Sequence, residues 1–275
     1  MRGEPYIARL QIGLGRPKNT GVGADLAGQV EAVGRNVTRF RPGDEVFGQS
    51  MRTMAEYACV SQDGLADKPA NMTFEQAAAV PVAASTALQG LRDKAHVQPG
   101  QKVLINGAAG GVGTFAVQIA KTFGAEVTGV CSTRNVAMVR SIGADHVIDY
   151  TKEDFTAGGQ RYDVMLELVR SKTVAACMRA LTSDGTLLMA AGEGGRWLGP
   201  IGRQAAALVL SPLVGQKFCP FLAKRSQADF HLLKGLLESG QVTPVIDRTY
   251  PLSDTADAIR YIETGHARGK VVVTV

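Results

Sequence analysis

Seven residues, Gly107-Ala108-Ala109-Gly110-Gly111-Val112-Gly113, stand between the apolar run KVLI and the amphipathic run TFAVQIAKTFG. The chemistry such a run can serve is anion binding. The N–H groups at a helix start and the positive end of the helix dipole together hold phosphate. Glycine is needed wherever backbone must approach the phosphate or helix must pack on strand, because a β-carbon would intrude. Gly110 and Gly113 occupy the second and third glycine positions of G-x-G-x-x-G; Ala108 occupies the first, with Gly107 beside it to take an unusual φ. Alone, the run fits a structural strand-to-helix turn as well. Its context, a strand before, a helix after and a second strand from Glu126, favours a dinucleotide pyrophosphate cradle.

The end of that second strand tests the reading, since a carboxylate there binds the ribose hydroxyls of NAD. The stretch Cys131-Ser132-Thr133-Arg134-Asn135 has none. Hydroxyls and a guanidinium suit a 2′-phosphate, because Arg offers forked donors and a permanent charge. Ser132, Thr133, Arg134 and Asn135 are therefore candidate cofactor contacts and NADPH is expected in preference to NADH; the alternative for Arg134 is a solvated residue at a helix start.

Other chemistries are disfavoured. Four cysteines lie far apart without a C-x-x-C pair, and His96, His146, His231 and His266 are dispersed, so no metal site is expected. Unpaired cysteines suit a cytoplasmic protein. The thirty Lys and Arg residues give a formal charge of +5 but form no run of five, which argues against nucleic acid. Residues 1–15 lack the apolar core of a signal peptide. QAAALVLSPLVGQ (204–216) is too short to span a bilayer and contains Pro212, so it is expected to be buried or to form a contact in a homodimer.

The elements around the cradle follow from periodicity. Residues 22–60 read as short strands, including QVEAVG and EVFGQ, between turns such as RPGD. FEQAAAVPVAASTALQGLRDKA reads as two helices broken at Pro81. Then KVLI, EVTGVC, HVID, DVMLELV and TLLMAA alternate with amphipathic helices, the pattern of a doubly wound parallel sheet covered on both faces. A helix over ADFHLLKGLLESG, another through DTADAIRYIETG and a final strand KVVVTV complete the chain. The last strand is expected to rejoin the N-terminal strands. That places residues 1–85 and 240–275 in one discontinuous domain around a nucleotide-binding domain at 86–239.

With VQPGQKVLINGAAGGVGTFAVQIAKTFGAEVTGVCSTRN, GADLAGQVEAVGRNVTRFRPGDEVFG and RGKVVVTV in order, the chain resembles the medium-chain dehydrogenase/reductase superfamily, in its zinc-independent quinone-oxidoreductase and alkenal/enone-reductase branch. The resemblance implies a GroES-like β-barrel joined to a Rossmann domain, and hydride transfer from NADPH to a quinone or α,β-unsaturated carbonyl. It implies Thr86 near the nicotinamide, Gly110 to Gly113 at the pyrophosphate, Cys131 to Asn135 at the adenosine ribose and its phosphate, and Tyr150 in the same pocket. Gly23-Ala24-Asp25 stand where zinc alcohol dehydrogenases carry a His-Glu pair. Members of the family begin roughly fifty residues earlier, so the barrel is expected to be incomplete and no catalytic acid or base is identified. Arg170 stands where glycine is usual, close to the expected nicotinamide. These departures leave a second reading: an NADPH-binding protein without catalysis.

Overall fold

The computed structural model describes residues 21–190 and 215–275. Three short strands, β1 (Asp25–Gln29), β2 (Glu45–Gln49) and β3 (Leu65–Asp67), form an antiparallel sheet in sequential order. Phe40, Val46 and Leu65 fill its small core. The QVEAVG strand is displaced: only Gln29 belongs to β1. Hydrogen bonds from Val30 N to Asp44 O and from Gly43 N to Val30 O close the ladder there, and Glu31 to Arg35 run exposed beyond it.

Two helices follow. In α1 (Phe74–Ala78), Thr73 and Gln76 cap one another reciprocally, side chain to backbone N–H. Helix α2 (Pro81–Gln89) begins on Pro81, whose missing N–H is harmless in a first turn.

The larger sheet is parallel throughout, built from β4 (Lys102–Asn106), β5 (Glu126–Cys131), β6 (His146–Asp149), β7 (Tyr162–Glu167), β8 (Leu181–Ala190) and β9 (Lys217–Phe221). Its order is β6-β5-β4-β7-β8-β9, the doubly wound arrangement in which strand order reverses between β4 and β7. Ligands of such sheets bind beyond the carboxyl ends of the strands at that reversal. Helices α3 (Gly111–Thr122), α4 (Val136–Ser141) and α5 (Val174–Arg179) make the crossovers. Alternate strand residues feed two cores: Val103, Ile105, Val127 and Leu166 on one face, Leu104, Val130, Met165 and Leu187 on the other. Helix α5 stops at Arg179, and two residues on Leu181, buried, pairs with Tyr162 as the first residue of β8.

Helices α6 (Gln227–Glu238) and α7 (Thr255–Glu263) and strands β10 (Ile246–Pro251) and β11 (Lys270–Thr274) end the chain. Among the described residues, β11 pairs in parallel with β10 and not with β1, β2 or β3. It touches the N-terminal part at α1 and through an ion pair, Lys270 Nζ to Asp25 Oδ2 at 2.8 Å. Of the 204–216 stretch, residues 204–214 lie outside the described residues.

Candidate functional site

The glycine run leaves β4 in a tight turn. Gly107 takes φ +93°, while Ala108, buried, does not have positive φ, which is what lets alanine stand at the first glycine position. Gly107 N and Ala108 N donate to Val130 O at 3.2 and 3.0 Å, binding the turn to the end of β5. Gly110 caps α3 in extended conformation, with φ −84° and ψ 176°.

The three glycines ahead differ in what excludes a side chain. A β-carbon on Gly113 would lie 2.0 Å from Gly107 O, so the turn itself requires glycine there. At Gly111 it would meet Lys270 Cδ at 3.2 Å. At Gly110 it would meet only Gly107 O, at an ordinary 3.4 Å. Protein packing does not demand glycine at Gly110; the room there fits an approaching phosphate at the N-terminal end of α3. The donor chemistry and the open cradle both suit a dinucleotide.

The second group of predicted residues lies at the ends of β5 and β6. Ser132 is half-buried, Thr133 and Arg134 are exposed, and Asn135 is buried. Asn135 Nδ2 donates to Ser132 Oγ at 3.2 Å, while Asn135 Oδ1 is buried without a partner in the protein. Arg134 donates to the carbonyl of His266, one of its five N–H groups spent in tying this loop to the segment before β11. Tyr150 joins the same group: its N–H donates to Cys131 O at 3.0 Å and its ring is 57% exposed. Thr86 stands apart on α2, which packs along α3; its hydroxyl donates to Val82 O at 2.7 Å within its own helix.

Three residues escaped the sequence reading. Asp149 ends β6 opposite Cys131 and accepts from Thr133 Oγ1 at 2.6 Å, so a carboxylate does reach this corner, from the neighbouring strand. The Thr133 hydroxyl, then the Thr151 hydroxyl and amide and the nearby Lys152, hold the Asp149 carboxyl down at about 2, from an ordinary 3.8. A depressed carboxylate contributes stability that is complete above its unfolded value and vanishes as pH falls through its folded one. Asp149→Asn should therefore lose less stability than the wild type between pH 4 and pH 2 in thermal melts. Parallel acid arms would show that Asp149 contributes nothing. The Cys131 thiol is pushed up to about 11, first by burial and then by the Asp149 charge, so it remains a thiol.

Glu167 closes β7 at the strand-order reversal. Only 2% exposed, it accepts Asn106 Nδ2 on both oxygens at 2.9 Å, with Val169 N at 2.9 Å and Arg170 N at 2.6 Å on Oε1. This pins the loop after β7 against the glycine turn, where a β-carbon on Gly107 would be 2.7 Å from Val169 Cγ2. Arg170 sits in that loop at φ +61°, a conformation that suits glycine, and its guanidinium donates to Ala190 O at 3.2 Å.

Lys270 is the third. Gly269 N donates to Ala109 O at 2.8 Å, which draws the start of β11 against the glycine turn and brings the lysine stem beside Gly111. The only sequence signal for it was the GK of RGKVVVTV.

Comparisons with known proteins agree with this geometry. Residues 10–90 match the alcohol dehydrogenase GroES-like domain, and residues 142–273 match the zinc-binding dehydrogenase family. A 2-methylene-furan-3-one reductase of Solanum lycopersicum is 35% identical over 271 residues, which is 94% of this chain and 64% of that protein. The NADPH-dependent alkenal/one oxidoreductase, chloroplastic, of Arabidopsis thaliana is 35% identical with the same coverage. The mitochondrial NAD(P)H oxidoreductase RTN4IP1 of Mus musculus is 35% identical over 279 residues, 92% of this chain and 70% of its own. The chain thus spans about two thirds of the length of these relatives. The solved quinone oxidoreductase of Coxiella burnetii superposes with a TM-score of 0.86 at 30% identity, covering 99% of this chain and 83% of that one. No helix among the described residues is long and apolar enough to cross a membrane. A GroES-like match, a doubly wound sheet with its glycine cradle, and relatives of these kinds at this identity together make the chain a member of the medium-chain dehydrogenase/reductase family, in its quinone and enone reductase-like branch.

Proposed function

We propose that this protein is an NADPH-dependent oxidoreductase that reduces a quinone or an α,β-unsaturated carbonyl without zinc. The observation that carries the reading is the room at Gly110 above the start of α3, which protein packing leaves open. NADPH, when bound, would supply the hydride for the electrophilic carbon of the acceptor, with the proton coming from water or another donor. The first turn of α3 holds the pyrophosphate, Ser132 and Arg134 take the 2′-phosphate, Tyr150 borders the adenosine, and Thr86 borders the nicotinamide. Residues 86–239 form the cofactor domain; residues 1–85 with 240–275 form the substrate domain and one wall of the cleft. Asp25 stands in place of the His-Glu pair of zinc enzymes, and its oxygens are engaged by Lys270 Nζ and Val82 N, each at 2.8 Å, which supports a site working by position and charge. The compartment we assign is the cytoplasm, on four cysteines that form no disulfide, to be checked by fractionation.

The test is loss of reduced-nicotinamide absorbance with NADPH and a panel of quinones and short enones. Tight NADPH binding with no turnover of any acceptor would leave the second reading, a cofactor-binding protein without catalysis, which Arg170 at φ +61° beside the cleft favours.

Lys270 gives a further expectation. Its stem lies beside Gly111 and its ammonium holds Asp25, whose side chain is only 18% exposed. Lys270→Met removes a cation close to the glycine turn and leaves Asp25 with Val82 N but no counter-charge, so NADPH affinity should fall about tenfold or more. Fluorescence titration reads it; unchanged affinity would place Lys270 outside the phosphate site.

A further inference from the structure

Ser132 to Asn135 and Tyr150 belong to different strand ends, and something must hold them as one surface. Asp149 does this. The register of the parallel pair sets it opposite Cys131, the last residue of β5. Its Oδ2 accepts Thr133 Oγ1 at 2.6 Å, and its Oδ1 accepts Thr151 N at 3.0 Å and Thr151 Oγ1 at 2.7 Å. The two threonine hydroxyls are themselves 3.0 Å apart, and Lys152 Nζ lies 3.6 Å from Oδ2. With 8% exposure and three hydrogen bonds already accepted from Thr133 and Thr151, this carboxylate is committed to the loop and not to a ribose hydroxyl.

Counting hydrogens then separates the two hydroxyls of the loop. A hydroxyl has one proton to give. Thr133 spends its proton on Asp149, so toward a ligand it presents only lone pairs, and a phosphate, itself an acceptor, gains nothing from them. Ser132 Oγ instead receives the Asn135 amide, which leaves its own proton free for the ligand.

We propose that Asp149 is a positioning residue for the cofactor: through Thr133 and Thr151 it locks the Ser132–Asn135 loop to the Tyr150 turn, making Ser132 the hydroxyl donor to the 2′-phosphate and Thr133 a latch. The inference rests on the NADPH reading above and deepens it.

Four variants of the full chain test it: Thr133→Val, Asp149→Asn, the double variant and Ser132→Ala. Each is titrated with NADPH and NADH by fluorescence, after a ligand-free melt establishes folding. Thr133→Val and Asp149→Asn should each weaken NADPH and NADH alike, by about tenfold, the loss of one charge-assisted hydrogen bond. The double variant should be no weaker than the poorer single one, because both break one latch. Ser132→Ala should weaken NADPH selectively. If Asp149→Asn does not fold, Thr133→Val decides alone. The proposal is overturned if Thr133→Val discriminates against the 2′-phosphate as Ser132→Ala does, or if both latch variants bind as the wild type does. A wild type that binds neither nucleotide overturns the cofactor reading itself, an outcome distinct from variants that match a binding wild type.

Discussion

Gly110→Thr is expected to leave the ligand-free protein within about 1 kcal/mol of wild type while NADPH affinity falls by about two orders of magnitude, whereas Gly113→Ala should damage both. The difference follows from what surrounds each glycine. Gly110 is the N-cap of α3 with φ −84°, a backbone any residue adopts, and a β-carbon there touches only Gly107 O at 3.4 Å. Threonine caps a helix about as well as glycine does, so the apo fold loses little. Its side chain instead fills the space over the first-turn N–H groups, where the pyrophosphate must come close. At Gly113 the same added carbon would sit 2.0 Å from Gly107 O and 2.8 Å from Ala108 Cα. Those are backbone atoms, so the turn must move, at about 2 kcal/mol and a melting temperature lower by roughly 4–8 °C. Melts with and without NADPH separate the two. A Gly110→Thr protein stabilised by NADPH as strongly as the wild type would mean that the open room serves no phosphate.

The second large effect is expected at Glu167. Glu167→Ala removes the acceptor for the N–H groups of Val169 and Arg170 and for buried Asn106 Nδ2, which keeps only Ser171 Oγ at 3.3 Å. Leaving such donors unmade costs about 1–3 kcal/mol each, softened by relaxation of the loop, so a total near 3 kcal/mol and a melting temperature lower by roughly 6–12 °C are expected. Glu167→Gln, which keeps one acceptor oxygen, should lose about half as much. The Val169 and Arg170 amides should exchange faster with solvent in the alanine variant than elsewhere in β7. A melting temperature within two degrees of wild type would show that the loop is held by other contacts.

Arg170 illustrates what each level of description contributes. Its type was visible as a departure from the glycine usual in the family. Its left-handed backbone, and the Glu167 carboxylate holding its N–H at 2.6 Å, are visible only in the fold. A non-glycine residue keeps such a conformation where its surroundings over-determine it, and here the buried carboxylate does so.

Local signals carried most of the architecture. Strand runs bounded by turn residues, helical periods and a capping Thr73 depend on neighbours within a few residues, so KVLI, EVTGVC, HVID and the helix of TFAVQIAKT are where the sequence alone puts them. The glycine spacing likewise determined the cradle, because the turn from β4 to α3 is a short-range geometry. The sequence could not show which strand lies beside which. Parallel neighbours are joined by crossovers, so Asp149 and Thr133, or Glu167 and Asn106, meet across 16 and 61 residues with no local trace. Tertiary structure decided those contacts: strand register turned an apparent lack of a carboxylate after β5 into Asp149 bound to Thr133, and drew Lys270, from the last strand, to the helix start that the first glycines announced.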